Sequence, residues 1–263
     1  MQNTAQGFLI YELTHSPAYL GYVTFAYGVA SWIFMLFGGV VSDRIPRRIL
    51  LIITQSAMMI LAFILAILTF LSLVQPWHII ALSFGLGIAN AFDAPARLAI
   101  VPELVDDRDD LSNAIALNGT MFNTGTVLGP ALAGIVYAAF GPAWCFTLNG
   151  ISFLAVLAAL VMIETAKSTL PTHHTPPFNA IKEGFHFVLQ NRMVLILISI
   201  IGIVGFFGMS FQTLFPAWAV DILNGDVKTN GWLRSSQGLG ALIGALTIAS
   251  LGRFKFKGRL LTA

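Results

Sequence analysis

Long apolar runs with almost no charge recur along the chain, and they constrain its fold more than any other feature. They cover 18–41, 49–74, 79–92, 115–140, 145–163, 194–220 and 239–251. Most approach the ~20 residues that carry a helix across ~30 Å of hydrocarbon, and the shorter ones reach it with their mildly polar flanks. A membrane barrel would instead need ~10-residue alternating segments, and the chain has none. Only 10% of the 263 residues are charged, against about 25% in soluble domains. The expected fold is therefore an all-α membrane protein.

The connecting segments sort lysine and arginine. Twelve of the fourteen fall in 42–48, 97–112, 164–192 and 252–259, while the alternate segments hold only Lys228, and Arg234 lies just inside a span. The positive-inside rule places the first set in the cytoplasm. About seven full transmembrane helices follow, with a partial one at each end, and the first of these reads as the second half of a longer helix. No secretory signal is visible at the start. The single cysteine, Cys145, allows no internal disulfide, and a net charge of +2 gives no reason to expect a nucleic-acid partner.

Residues 164–192 divide the chain. They contain STLPTHHTPP, which has no helical periodicity, followed by Phe178, Ile181, Phe185 and Val188 on one helical face. The organisation expected is a helical bundle over 1–163, a cytoplasmic linker with an amphipathic helix over 164–192, and the start of a second bundle over 193–263. Adjacent histidines in such a linker, His173 and His174, are not read as a metal site.

Three stretches carry the functional signal. The first, GGVVSDRIPRRILLI (38–52), packs Asp43, Arg44, Arg47 and Arg48 into six residues between two apolar runs. Topology anchoring accounts for the arginines but not for the acid, since an unpaired carboxylate at a membrane boundary is costly. A charge pair made in one conformation and broken in another would be a latch. The second, GTVLGPALAG (125–134), spaces Gly125, Gly129 and Ala133 four apart, a stripe that lets another helix approach closely. Pro130 within it bends the helix. The third, NAFDAPARLAIVPELVDDRDDLSNAIALN (90–118), sets Asp93 and Arg97 on one helix face at the inner end of a span. They read equally as a local pair and as part of the latch. In DDRDD (106–110), Asp109 or Asp110 is expected to cap the next helix.

The pattern Gly39, Asp43, Arg44, Arg47, Arg48 resembles the signature loop between helices two and three of the major facilitator superfamily, with Pro46 where most members have glycine. Gly125, Gly129, Pro130 and Gly134 resemble the fifth-helix motif of its proton-coupled exporters, with Ala133 replacing one glycine. The third stretch resembles the enterobactin-exporter-like branch. The resemblance covers essentially the whole chain. It implies a major facilitator type helical bundle in a bacterial inner membrane, incomplete here, and a secondary transporter that exports drug- or siderophore-like small molecules with protons as coupling ion. It implies no cofactor, metal or enzymatic step. A degenerate second copy of the design is expected after the linker, with Gly240 and Gly244 on one row of a helix. Because the superfamily needs about twelve helices, a chain cut short at both ends is expected, and a non-transporting membrane fragment or interaction protein is the alternative.

Among residues within the spans, Arg234 reads either as a contact for an anionic substrate or, preferred, as a side chain reaching the outer headgroups. Glu12, His15 and Asp221 lie at outer helix ends. They read first as solvated loop-edge positions and second as proton relays.

Overall fold

The computed structural model describes residues 1–105, 110–163, 186–208 and 211–250. Helices dominate, and no strand occurs among the described residues. In chain order they are α1 (Gln2–Thr14), α2 (Pro17–Arg44), α3 (Arg47–Phe70), α4 (Pro76–Ile100), α5 (Leu111–Phe140), α6 (Pro142–Met162), α7 (Arg192–Ile203) and α8 (Val227–Ser250).

Helices α2 to α6 are each long and apolar enough to cross a membrane. The other two expected spans take different forms. After α7 the chain continues as a π-helical turn, Val204–Gly208, and then as short helical pieces over 211–222. The 24-residue α8 carries Lys228, Asn230, Arg234, Ser235, Ser236 and Gln237 in its first half, which dilute its apolar character. Most of the expected linker, with Phe178, Ile181 and Phe185, lies outside the described residues. So do Asp106 to Asp109 and the basic segment after Ser250. Val188 sits in a short helical stretch over 186–190.

Local chemistry explains the boundaries. Pro17, Pro76 and Pro142 each open a helix at its first turn, where a missing N–H is tolerated and φ is already helical. The Gln75 N–H donates to His78 Nδ1 at 3.0 Å at the start of α4. The turn into α6 passes through Gly141 at φ +87°, a conformation that favours glycine. Asp226 accepts the Lys228 and Thr229 N–H groups at 3.0 and 3.1 Å, capping α8. Asp110 does stand at the N-cap of α5, but its carboxylate makes no capping bond there, because its backbone is already helical (φ −81°, ψ −12°) rather than extended.

α2 lies along α4, α3 along both α4 and α6, and α5 along α8. The short α1 threads the middle and touches α2, α4, α5, α6 and α8. Ile10, Leu65, Ile79 and Phe146, from α1, α3, α4 and α6, are fully buried in one core. Large apolar side chains also cover the outside, Trp32 at 84% exposure among them. That is the surface expected of helices solvated by lipid tails, and the protein is a multi-pass membrane protein.

Candidate functional site

A cavity of about 280 Å³ opens where α1, α2 and α4 face the 211–214 turn and α8. Its walls are mixed. Leu20, Val23 and Leu86 are apolar, while Thr24, Tyr27 and Ser83 offer hydroxyls. Gln6, a buried polar residue of α1, reaches α4 and donates to Ser83 Oγ and to the Ile79 carbonyl. Arg234 enters from α8. Its Nη2 donates to the Gln212 carbonyl at 3.3 Å, and its guanidinium lies 5.8 Å from the Phe215 ring centroid. The buried Nε has no partner. Of the described residues lining the cavity, Arg234 is the only charged one, and no carboxylate among the described residues pairs with it. Arg234 is thus one of the residues lining the cavity.

The arginine-rich end is built on the α2–α3 turn. Arg47 pairs with Glu103 and donates to the Ala99 carbonyl at 3.1 Å, tying the start of α3 to the end of α4. Arg48 donates from Nε to the Leu160 carbonyl and from Nη2 to the Val161 carbonyl, both at 2.6 Å, at the last turn of α6. Arg44 is exposed. The Asp43 backbone lies in the last turn of α2, and its side chain lies outside the described residues. A methyl group on Gly39 would meet nothing within 4 Å, whereas one on the neighbouring Gly38 would stand 2.1 Å from the Ala91 carbonyl oxygen of α4.

Asp93 is buried in α4, one turn before Arg97, whose Nε lies 3.8 Å from Asp93 Oδ2. The stronger bonds cross to α3. Thr54 Oγ1 and Gln55 Nε2 donate to Asp93 Oδ1 at 2.9 and 2.7 Å. Sequence spacing found the i,i+4 pair but not these neutral donors. Their available signal was polarity within an apolar run, which is rare and usually partnered.

The fifth-helix motif faces α8. A methyl on Gly134 would stand 3.0 Å from the Val227 carbonyl oxygen, and one on Gly231 2.8 Å from the Pro130 carbonyl oxygen. Ser235 Oγ donates to the Val127 carbonyl at 2.7 Å. Gly129 faces the start of α1, with Met1 N 3.6 Å from where its Cβ would lie, while Gly125, Gly240 and Gly244 are open. The close approach of α5 and α8 thus runs through Pro130 and Gly134 against Gly231, and through Thr126 and Val127 against Gly238. It does not follow the expected row of Gly125, Gly129 and Ala133, because α8 packs on the adjacent face of α5.

At the opposite end, Tyr11 donates to Asp221, and Tyr137 donates to Glu12. Sequence reading named both carboxylates without their tyrosine partners. The His15 ring lies 6.3 Å from that of Tyr11, edge to face.

Comparison with known proteins gives this geometry a context. The chain is 26% identical over 243 residues to the staphyloferrin A transporter of Staphylococcus aureus. It is 29% identical over 255 residues to the enterobactin exporter EntS of Shigella boydii and to that of Escherichia coli. These alignments cover 91% of the chain in the first case and 96% in the others, and the chain spans 60% of the length of each relative. The family profile described as transmembrane secretion effector matches residues 1–263 of the chain. The chain belongs to the transmembrane secretion effector family of the major facilitator superfamily, a superfamily of transporters rather than enzymes.

Proposed function

We propose that the protein is a secondary active transporter of a bacterial inner membrane that exports small amphiphilic molecules of the siderophore or drug type, coupled to protons, by alternating access. The observation that carries this reading is the cavity itself. It is lined by both apolar and polar side chains, and residues from both sides of the 164–192 linker contribute to it. Relative motion of two bundles, over 1–163 and from 193 onward, would open it to one side and then the other. The relatives' names supply the cargo class, since one transports staphyloferrin A and others export enterobactin.

In this reading Gly39, Asp43, Arg44, Arg47 and Arg48 form the conformational latch on the cytoplasmic side, with Asp93 and Arg97 bracing the inner end of α4. Gly125, Gly129, Pro130 and Gly134 shape the helix on which the second half moves, and Arg234 contacts the substrate. The experiment is deletion of the gene in its native host, followed by measurement of labelled enterobactin and staphyloferrin A in cells and medium, with and without a protonophore. Intracellular retention in the deletion strain, reproduced by the protonophore in the parent, is expected. Equal export by deletion and parent strains would overturn the transporter assignment, and export indifferent to the protonophore would overturn proton coupling.

A further inference from the structure

We infer that the cavity at Arg234 is a binding site for an organic monoanion, a carboxylate attached to an apolar body, so that the cargo is recognised by its negative oxygen rather than by hydrophobicity alone. This rests on the transporter reading above and gives its substrate a chemistry.

A guanidinium is retained in a membrane interior only with partners, because withdrawing a charge from water is costly. Arg234 has one backbone carbonyl at 3.3 Å and one aromatic face, and its Nε is buried with nothing to donate to. A planar donor fork with unused N–H groups matches a carboxylate geometrically. The surroundings match it as well. No described acid lines the cavity to compete, and no second described cation lines it to favour a dianion. Thr24 and Ser83 donate their hydroxyl protons to the Leu20 and Ile79 carbonyls at 3.0 and 2.7 Å, which leaves the arginine as the donor an anion would meet, while Leu20, Val23 and Leu86 supply an apolar wall. An inorganic anion would satisfy the arginine but leave that wall in water. The volume lies near the lower end of ligand pockets, roughly 300–1,000 Å³, which suits a small bicyclic acid.

The test compares 2-naphthoate with 2-naphthamide, which share shape and differ in charge. Binding to the purified protein in lipid nanodiscs is measured by calorimetry, for the wild type, Arg234→Gln and Arg234→Lys. The wild type is expected to prefer the acid by roughly tenfold or more, the usual gain from a charged hydrogen-bond pair. Arg234→Gln should bind both compounds alike at the amide's affinity, which also shows that the variant is folded, and Arg234→Lys should keep part of the preference. Phosphate should not displace 2-naphthoate.

No preference for the acid in the wild type, whether both compounds bind or neither, would overturn the inference. So would a full preference surviving in Arg234→Gln, or displacement by phosphate, which would mark a site for inorganic anions. Failure of the transporter reading looks different. The acid would then bind as described, while deletion of the gene left export unchanged.

Discussion

Arg48 acts as a helix cap as well as a charge. The last carbonyls of α6 have no intrahelical donor, and Arg48 supplies two N–H groups to Leu160 and Val161 at 2.6 Å each. A cation there also opposes the negative end of the helix dipole. Lysine carries the same charge but cannot span two carbonyls with a planar fork. Replacing Arg48 by Ala should therefore cost about 1–3 kcal/mol, read as a lower unfolding midpoint in detergent, and Arg48→Lys should recover less than half of that loss. If lysine restored the midpoint completely, the residue would be a topology anchor and the capping account would be wrong. The charge of Arg48 was legible in the sequence, but its acceptors lie more than a hundred positions away on α6. The same limit applied to Asp93. Its partner Arg97 was found because four residues bring two side chains onto one face, whereas Thr54 and Gln55 reach it only through the rotation of α3 about its own axis.

Two interior prolines meet the neighbouring helices in the same way. Pro95 in α4 and Pro130 in α5 each lack an N–H, so the carbonyl four residues earlier loses its donor. Those carbonyls belong to Ala91 and Thr126. A glycine from the adjacent helix lies against each: a methyl on Gly38 would stand 2.1 Å from the Ala91 oxygen, and one on Gly238 2.9 Å from the Thr126 oxygen. Bare Cα–H groups are the weak donors that fit such a carbonyl at close range, and small residues permit that range. Gly38→Ala and Gly238→Ala should each destabilise by about 1–3 kcal/mol through overpacking. Gly39→Ala and Gly240→Ala, in open space, should leave stability unchanged or raise it by up to about 1 kcal/mol. Folded fraction after a heat step, followed by size exclusion in detergent, separates the pairs, and equal behaviour of all four would remove the proline–glycine account. The small-residue content of α5 was plain in the sequence. Which of its rows meets α8 was not, because glycine and alanine occupy more than one face and only the neighbours choose between them.

The two ends of the bundle are tied differently, and this bears on how the protein would cycle. At the arginine-rich end, Arg47 and Arg48 join α3 to α4 and α6, all before the linker. At the opposite end, Tyr11 of α1 bonds Asp221, which lies beyond the linker, so that bond holds the two parts of the chain together. Removing it should favour the conformation open at that end. The acceptor is exposed, so a worth of about 1 kcal/mol, or roughly a fivefold shift in population, is the reasonable size. If Asp43 latches the other end, Asp43→Asn should shift the same equilibrium the opposite way. Both are measurable with one reporter: Ser83→Cys in the cavity wall, in a Cys145→Ser background, labelled in intact cells by a membrane-impermeant maleimide. Tyr11→Phe should speed labelling severalfold and Asp43→Asn should slow it, with unchanged amounts of protein in the membrane. Opposite signs from substitutions at opposite ends are what a rocking pair of bundles requires. A shift in the same direction, or none, would mean that the cavity is not alternately exposed and that these contacts only hold the fold together.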